Sequence, residues 1–182
     1  MRITEMVKVL AQLVVRPASA HCDTQDGPVV VAGRRALTTG NLNHALVWVH
    51  QDAEGEVRAA YVAAATALET ERTAAELRFL ETLVRLHRAG EGAGFTGIKP
   101  AGTPQAPAVT AADEALAEGT LAPLEPMLPD DQRAEVARRF ATTLALRDYD
   151  VDDVAAGRDF VGAYVDYVHY AKHHAIAPAA VR

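Results

Sequence analysis

Residues 27–68 read GPVVVAGRRALTTGNLNHALVWVHQDAEGEVRAAYVAAATAL, and this stretch decides the fold. Pro28 opens a helix and Gly40 follows its last turn, because proline is tolerated at the first helical position and glycine accepts the left-handed conformation that ends a helix. A short connection leads to Asp52, which is expected to cap a second, longer helix with Glu56 in its first turns. The stretch therefore predicts two consecutive helices, and no alternation typical of a β-strand interrupts them.

The same pattern occurs a second time in residues 106–147, APAVTAADEALAEGTLAPLEPMLPDDQRAEVARRFATTLALR. The two stretches align without a gap and share ten identical residues. Self-similarity at a fixed spacing is the sequence signature of a repeated structural unit. We therefore predict an internal duplication, with halves at about 27–92 and 106–174. The shared residues include the proline, the glycine and the Asp-x-x-x-Glu-Val of the longer helix: Pro28/Pro107, Gly40/Gly119, Asp52/Asp131, Glu56/Glu135 and Val57/Val136.

A further helix follows each of these units, over residues 73–92 and 153–174. Thr73 and Glu76 have the spacing of a capping box at the start of the first of these helices. The predicted fold class is therefore all-α, a helical bundle built from two pseudo-equivalent halves. We expect residues 21–182 to form a single helical domain.

Composition excludes several classes of protein. The chain has 182 residues, of which 49% are hydrophobic, and this length is sufficient for one sizeable core. The formal net charge is −6 and the lysines and arginines are scattered, so the basic face of a nucleic-acid-binding protein is absent. No apolar run approaches the ~20 residues of a transmembrane helix. The single cysteine excludes an internal disulfide framework.

The first twenty residues, MRITEMVKVLAQLVVRPASA, have two interpretations. They end in Ala-Ser-Ala, a pattern that signal peptidase cleaves, after a positively charged start and a short apolar stretch. The same residues also have the apolar spacing of an amphipathic N-terminal helix. Cleavage after Ala20 would give a secreted or periplasmic protein that begins at His21, whereas an intact N-terminus would favour a cytoplasmic protein.

Residues 21–26, HCDTQD, form a segment that we call the hook. Cys22 offers a thiolate, His21 an imidazole, and Asp23 and Asp26 offer carboxylates. These donors suit a borderline transition metal, nickel, copper or zinc, better than Ca²⁺ or Mg²⁺. The competing interpretation is structural, with Asp26 capping the helix that begins at Pro28 and Cys22 acting as a small buried hydrophobe.

Two histidines, His87 and His169, each lie at the end of an apolar stripe on a predicted helix, and they complete the candidate site. His87 is either a hydrogen-bonded core histidine or a ligand, and Glu81 on its helix is either a ligand or the partner of an exposed ion pair. Glu91 lies one helical turn after His87 if that helix continues past Gly90. The predicted metal ligands are His21, Cys22, Asp26, Glu81, His87 and His169, with Glu91 as the alternative to Glu81.

Four motifs give the chain a resemblance to a known family: HCDTQDGPVV, FLETLVRLHRAGEG, FTGIKPAG and YVDYVHY. Together they resemble an uncharacterised family of small bacterial proteins known only as a domain of unknown function. The resemblance implies no activity, but it directs attention to the hook, Glu81, His87, Glu91, Lys99 and His169. A shorter likeness links residues 21–27 to the metal hook of nickel superoxide dismutase, in which a second cysteine stands where this chain has Asp26.

Three functions are consistent with these observations. The first is a small helical protein that binds a transition metal through the hook and the helix histidines. The second is a non-catalytic helical-repeat protein that binds another protein or a small ligand, in which the polar residues form buried hydrogen-bond networks. The third is a hydrolase that uses Cys22 with His87, which requires an exposed thiol of lowered pKa.

Overall fold

A computed structural model describes residues 20–176 and confirms the all-α fold class. Within this range no β-strand forms, and a single bridge joins Thr24 to Lys99. Short 3₁₀ turns precede or connect several helices. The seven described α-helices are α1 (Pro28–Thr39), α2 (Asn43–Leu46), α3 (Glu54–Ala65), α4 (Arg72–Gly90), α5 (Pro107–Glu118), α6 (Asp130–Leu146) and α7 (Val154–His174).

Proline and glycine delimit α1 and α5 as the sequence predicts. Pro28 and Pro107 occupy the first helical turn, where a missing N–H leaves no intrahelical partner unsatisfied. Gly40 and Gly119 follow the last turns in the left-handed conformation, with φ of 73° and 72°. The predicted boundaries of these two helices are therefore confirmed.

The predicted side-chain caps are wrong. The chain enters α3 and α4 through 3₁₀ turns, Gln51–Ala53 and Glu69–Glu71, so the backbone is already helical before each helix begins. A residue in that conformation does not present its side chain to the first free amides as an extended cap residue does. Asp52 therefore lies in the turn before α3, and Thr73 and Glu76 lie inside α4 and not at its cap position. Asp131 lies inside the first turn of α6, whose cap position is occupied by Pro129, with φ of −57° and ψ of 148°.

The helices pack in the same way in both parts of the chain. Helices α1 and α3 pack against α4, and helices α5 and α6 pack against α7. This agreement fits the predicted duplication, which stays a prediction together with the division into halves. The two parts meet where Gly157 of α7 lies against Val47, so closely that an added Cβ would stand 2.3 Å from Val47 Cγ1. Arg158 strengthens the contact by pairing with Glu54.

The aromatic residues of the core position the candidate site. Trp48 follows α2 and contacts His87 edge-on, with ring centroids 5.6 Å apart. Its ring also meets Tyr164 of α7 edge-on at 6.0 Å. Trp48 thus lies between the end of α4 and the middle of α7, the two places at which the polar residues of the site gather.

Two further expectations from the sequence concern the N-terminal segment and the absence of a membrane-spanning helix. The predicted signal peptide or N-terminal helix falls almost wholly in residues 1–19, outside the described part of the chain. Among the helices of residues 20–176, none combines the length and the apolar character that crossing a membrane requires.

Candidate metal centre

The hook is held by backbone hydrogen bonds to the loop that follows α4. The amide of Lys99 donates to the Asp23 carbonyl at 2.7 Å, and the amide of Gln25 donates to the Lys99 carbonyl at 2.9 Å. A third bond runs from the Gly102 amide to Asp26 Oδ2 at 2.8 Å. Gly97 and Gly102 of this loop have φ of 97° and 73°, in the left-handed region that favours glycine. The hook is therefore fixed in place and does not hang free at the surface.

Cys22, His87 and Glu91 converge beneath the hook. One ligand atom from each residue lies within 4.8 Å of the other two, namely a sulfur, an imidazole nitrogen and a carboxylate oxygen. The side chains of His87 and Glu91 are only 4% and 12% exposed, and Cys22 is buried. Three metal-ligating groups thus meet in the protein interior, and they come from two distant segments of the sequence.

A hydrogen bond to Trp48 orients the His87 ring. His87 Nδ1 lies 2.9 Å from the Trp48 carbonyl oxygen, which can only accept, so Nδ1 carries the proton. Nε2 is then the unprotonated nitrogen, and it lies 3.5 Å from Glu91 Oε1. Neither of these two buried atoms has a hydrogen-bond partner within residues 20–176. A metal-ligating histidine is commonly fixed in this way through its other ring nitrogen.

Glu91 keeps the helical register although α4 ends at Gly90. Its amide donates to the His87 carbonyl at 3.2 Å, so the two side chains remain one turn apart as the sequence predicts. Glu91 Oε2 lies 3.4 Å from Arg88 Nη1, and Oε1 lies 4.0 Å from His169 Nε2. Helix α7 therefore brings His169 to the edge of the cluster, with its side chain 29% exposed.

Burial determines the protonation of the three residues. It raises the pKa of the Cys22 thiol far above its usual range and raises the pKa of Glu91, while it lowers the pKa of His87 to about 4. Each shift favours the uncharged form of the group. A divalent cation would reverse this balance, since one thiolate and one carboxylate neutralise its two charges. The raised thiol pKa also argues against Cys22 as a hydrolytic nucleophile.

The lowered pKa of His87 predicts that the metal-free protein loses stability in acid. Between about pH 6.5 and 4 the unfolded chain binds a proton at this residue and the folded chain does not. The free energy of unfolding should fall through this window as pH falls, by about 3 kcal/mol from His87 alone, at 1.36 kcal/mol per pKa unit. Urea unfolding with a chelator at several pH values measures the change.

His87→Asn is the matched control for this prediction, because an asparagine amide can still donate to the Trp48 carbonyl. The raised pKa of Glu91 acts in the opposite direction, since its contribution is present at low pH and disappears as pH rises. Only the difference between the wild-type and His87→Asn curves therefore isolates His87. Parallel curves from pH 7 to pH 4 would contradict the assigned environment.

Several residues in the predicted ligand set lie outside this cluster. His21 turns away from Cys22 and pairs with Asp113, with 2.6 Å between Nε2 and Oδ2. Asp26 is exposed, and the structure corrects its predicted role as a cap: Gly27 occupies the cap position of α1, and Asp26 accepts from Gly102. The half-buried Glu81 is not part of the converging group.

Sequence reasoning missed Asp113 and Tyr164. Asp113 occupies the position that the duplication aligns with Arg34, so the repeat pattern provides no signal for it. Tyr164 lies in an aromatic-rich helix and resembles an ordinary core residue. Its hydroxyl donates to Asp113 Oδ1 at 2.8 Å, a contact between α5 and α7 that depends on tertiary packing.

Comparison with known proteins places the chain in a family. The profile of one family matches residues 26–170, a range that contains His87, Glu91 and His169 and begins after Cys22. No curated protein and no solved structure matches the chain. The resemblance to an uncharacterised family is thereby confirmed, and the likeness to nickel superoxide dismutase receives no support. The chain belongs to a family of unknown function, DUF6448.

Proposed function

We propose that this protein binds one divalent transition-metal ion through Cys22 Sγ, His87 Nε2 and a Glu91 carboxylate oxygen. The observation that carries the proposal is the meeting of these three buried groups, two of which have an atom without a hydrogen-bond partner among the described residues. Unsatisfied polar atoms in a protein interior are costly, and a bound cation would satisfy them.

The spacing of the donors fits a tetrahedral ion after a small contraction. Bonds of ~2.0–2.3 Å around a tetrahedral centre place neighbouring ligand atoms roughly 3.3–3.8 Å apart. Glu91 Oε1 and His87 Nε2 already stand 3.5 Å apart, and all three donors lie within 4.8 Å. Movements of about 1 Å or less by side chains would complete the set. Mixed sulfur, nitrogen and oxygen donors make Zn²⁺ the best-matched ion and Co²⁺ its spectroscopic substitute.

A fourth coordination position would face the edge of the cluster near His169. Three protein ligands with an exchangeable water are typical of catalytic zinc centres, and four protein ligands are typical of structural ones. His169 Nε2 lies 4.0 Å from Glu91 Oε1, but His169 is not one of the residues whose ligand atoms all lie within 4.8 Å of one another. We therefore assign His169 to the periphery, where it competes with water for the fourth position.

Titration of the full chain with Co²⁺ tests the proposal. The wild type should bind one equivalent and develop an absorption band for charge transfer from thiolate to cobalt. His87→Ala should weaken Co²⁺ binding by roughly 60–700-fold, since structural sites gain roughly 2.5–4 kcal/mol per ligand when ~10–16 kcal/mol is divided among four. His169→Ala should weaken it less than about tenfold. Binding without the charge-transfer band, or equal effects of the two variants, would overturn the assignment.

A further inference from the structure

We infer that Asp113 and Tyr164 are positioning residues that hold the hook so that Cys22 faces His87 and Glu91. The inference rests on the proposed metal site and adds the residues that govern it from outside the cluster. Neither residue offers a ligand to the converging group, and both act through His21, the neighbour of Cys22 in the chain.

Asp113 of α5 and Tyr164 of α7 form a clamp on His21. Asp113 of α5 holds His21 Nε2 at 2.6 Å through Oδ2. Its second oxygen, Oδ1, accepts the Tyr164 hydroxyl of α7 at 2.8 Å, and that hydroxyl also lies 3.5 Å from His21 Nδ1. Both nitrogens of the imidazole therefore face groups of this clamp. Tyr164 is only 8% exposed, so the clamp is anchored in the core.

The position of Cys22 depends on the residues on either side of it. Ala20–Asp23 form one 3₁₀ turn, in which neighbouring residues have a fixed angular relation. The clamp fixes His21 on one side of the turn, and the Lys99 amide fixes the Asp23 carbonyl on the other side. Because both neighbours are held, the backbone of Cys22 is held as well, in the position from which its sulfur reaches the cluster.

The Asp113 carboxylate of the clamp can be removed without leaving a cavity in the hydrophobic core. It borders a cleft of about 240 Å³, whose lining includes His21, Asp26, Asp113 and Glu114. The Asp113 side chain is 33% exposed, so water can take the place of a deleted carboxylate. Removing the carboxylate should therefore release His21, and with it the direction of Cys22, while the packed helices persist.

The experiment is a Co²⁺ titration of full-length variants, read by affinity and by the intensity of the thiolate-to-cobalt band per bound ion. Asp113→Ala should weaken binding by about 10–100-fold, the usual effect of losing a group that orients a metal ligand, and should diminish the band. Asp113→Asn keeps one acceptor oxygen and should give an intermediate loss. Tyr164→Phe keeps the carboxylate and should give the smallest loss of the three.

Glu114→Ala is the matched control, because Glu114 lines the same cleft from the next position of α5 and is exposed. It should leave affinity and band unchanged within about twofold. If Asp113→Ala fails to fold, Asp113→Asn and Tyr164→Phe decide the question. Wild-type affinity and band in both of these variants would overturn the positioning role and leave the metal site standing. Failure of the wild type itself to bind Co²⁺ would overturn both.

Discussion

Replacement of Cys22 by serine is expected to lower the affinity for Zn²⁺ or Co²⁺ by roughly 60–700-fold. Binding free energies of ~10–16 kcal/mol for sites with four ligands correspond to roughly 2.5–4 kcal/mol per ligand, and tenfold in affinity corresponds to about 1.4 kcal/mol. Serine has nearly the shape of cysteine, but its hydroxyl does not ionise and does not replace a thiolate. Isothermal titration or competition with a chelating dye measures the loss.

Glu81→Gln is the matched control for the Cys22 variant. Glu81 lies on the same helix as His87 and is a plausible ligand from sequence, but the structure places it outside the converging group. Its replacement should leave metal affinity unchanged within about twofold. A Cys22→Ser protein that binds Zn²⁺ as tightly as wild type, or a Glu81→Gln protein that loses binding, would show that the ligand set is wrong.

Among the substitutions proposed, replacement of Gly27 by alanine is expected to cause the largest decrease in the free energy of unfolding. A Cβ at this position would stand 2.2 Å from the His21 carbonyl oxygen and 3.0 Å from Thr24 Oγ1. The first of these atoms belongs to the backbone and cannot rotate aside, so the hook itself must move. We expect a loss of about 2–3 kcal/mol, the upper part of the range for overpacking, and a parallel loss of metal affinity.

The cause of this effect is crowding and not backbone strain. Gly27 has φ of −73° and ψ of 157°, an extended conformation that alanine adopts readily. Gly55→Ala in the first turn of α3 is the control, because nothing lies within 4 Å of its added Cβ and alanine has the higher helix propensity. Urea unfolding of both variants measures the difference. Wild-type stability in Gly27→Ala would contradict the described path of the hook.

The helices could be predicted from sequence because local rules determine them. Pro28 and Gly40 delimit α1 wherever the helix packs, and the same holds for Pro107 and Gly119. The caps could not be predicted, since whether Asp52 caps a helix depends on the path by which the chain enters it. The structure brings the chain in through a 3₁₀ turn, which no spacing of residues indicates.

Only some residues of the candidate site could be predicted, because the others do not belong to a recognisable pattern in the sequence. Cys22 stands out as the single cysteine of the chain, His87 stands out as a polar residue at the end of an apolar helix stripe, and Glu91 follows His87 at helical spacing. Asp113 has no such signal, since its role depends on α5 lying beside the hook. The sequence favours His21 as a ligand because it is next to Cys22, whereas adjacent residues of a tight turn point in different directions.

X-ray absorption at the zinc edge of the full chain loaded with one equivalent of Zn²⁺ tests the central claim most directly. The proposed site predicts one sulfur ligand at ~2.3 Å and nitrogen or oxygen ligands at ~2.0–2.2 Å, with scattering from at least one imidazole ring. Cys22→Ser should remove the sulfur contribution and leave the imidazole. A wild-type spectrum without sulfur, in which the ion is held by nitrogen and oxygen alone, would contradict the assignment of Cys22, His87 and Glu91 as the metal-binding group.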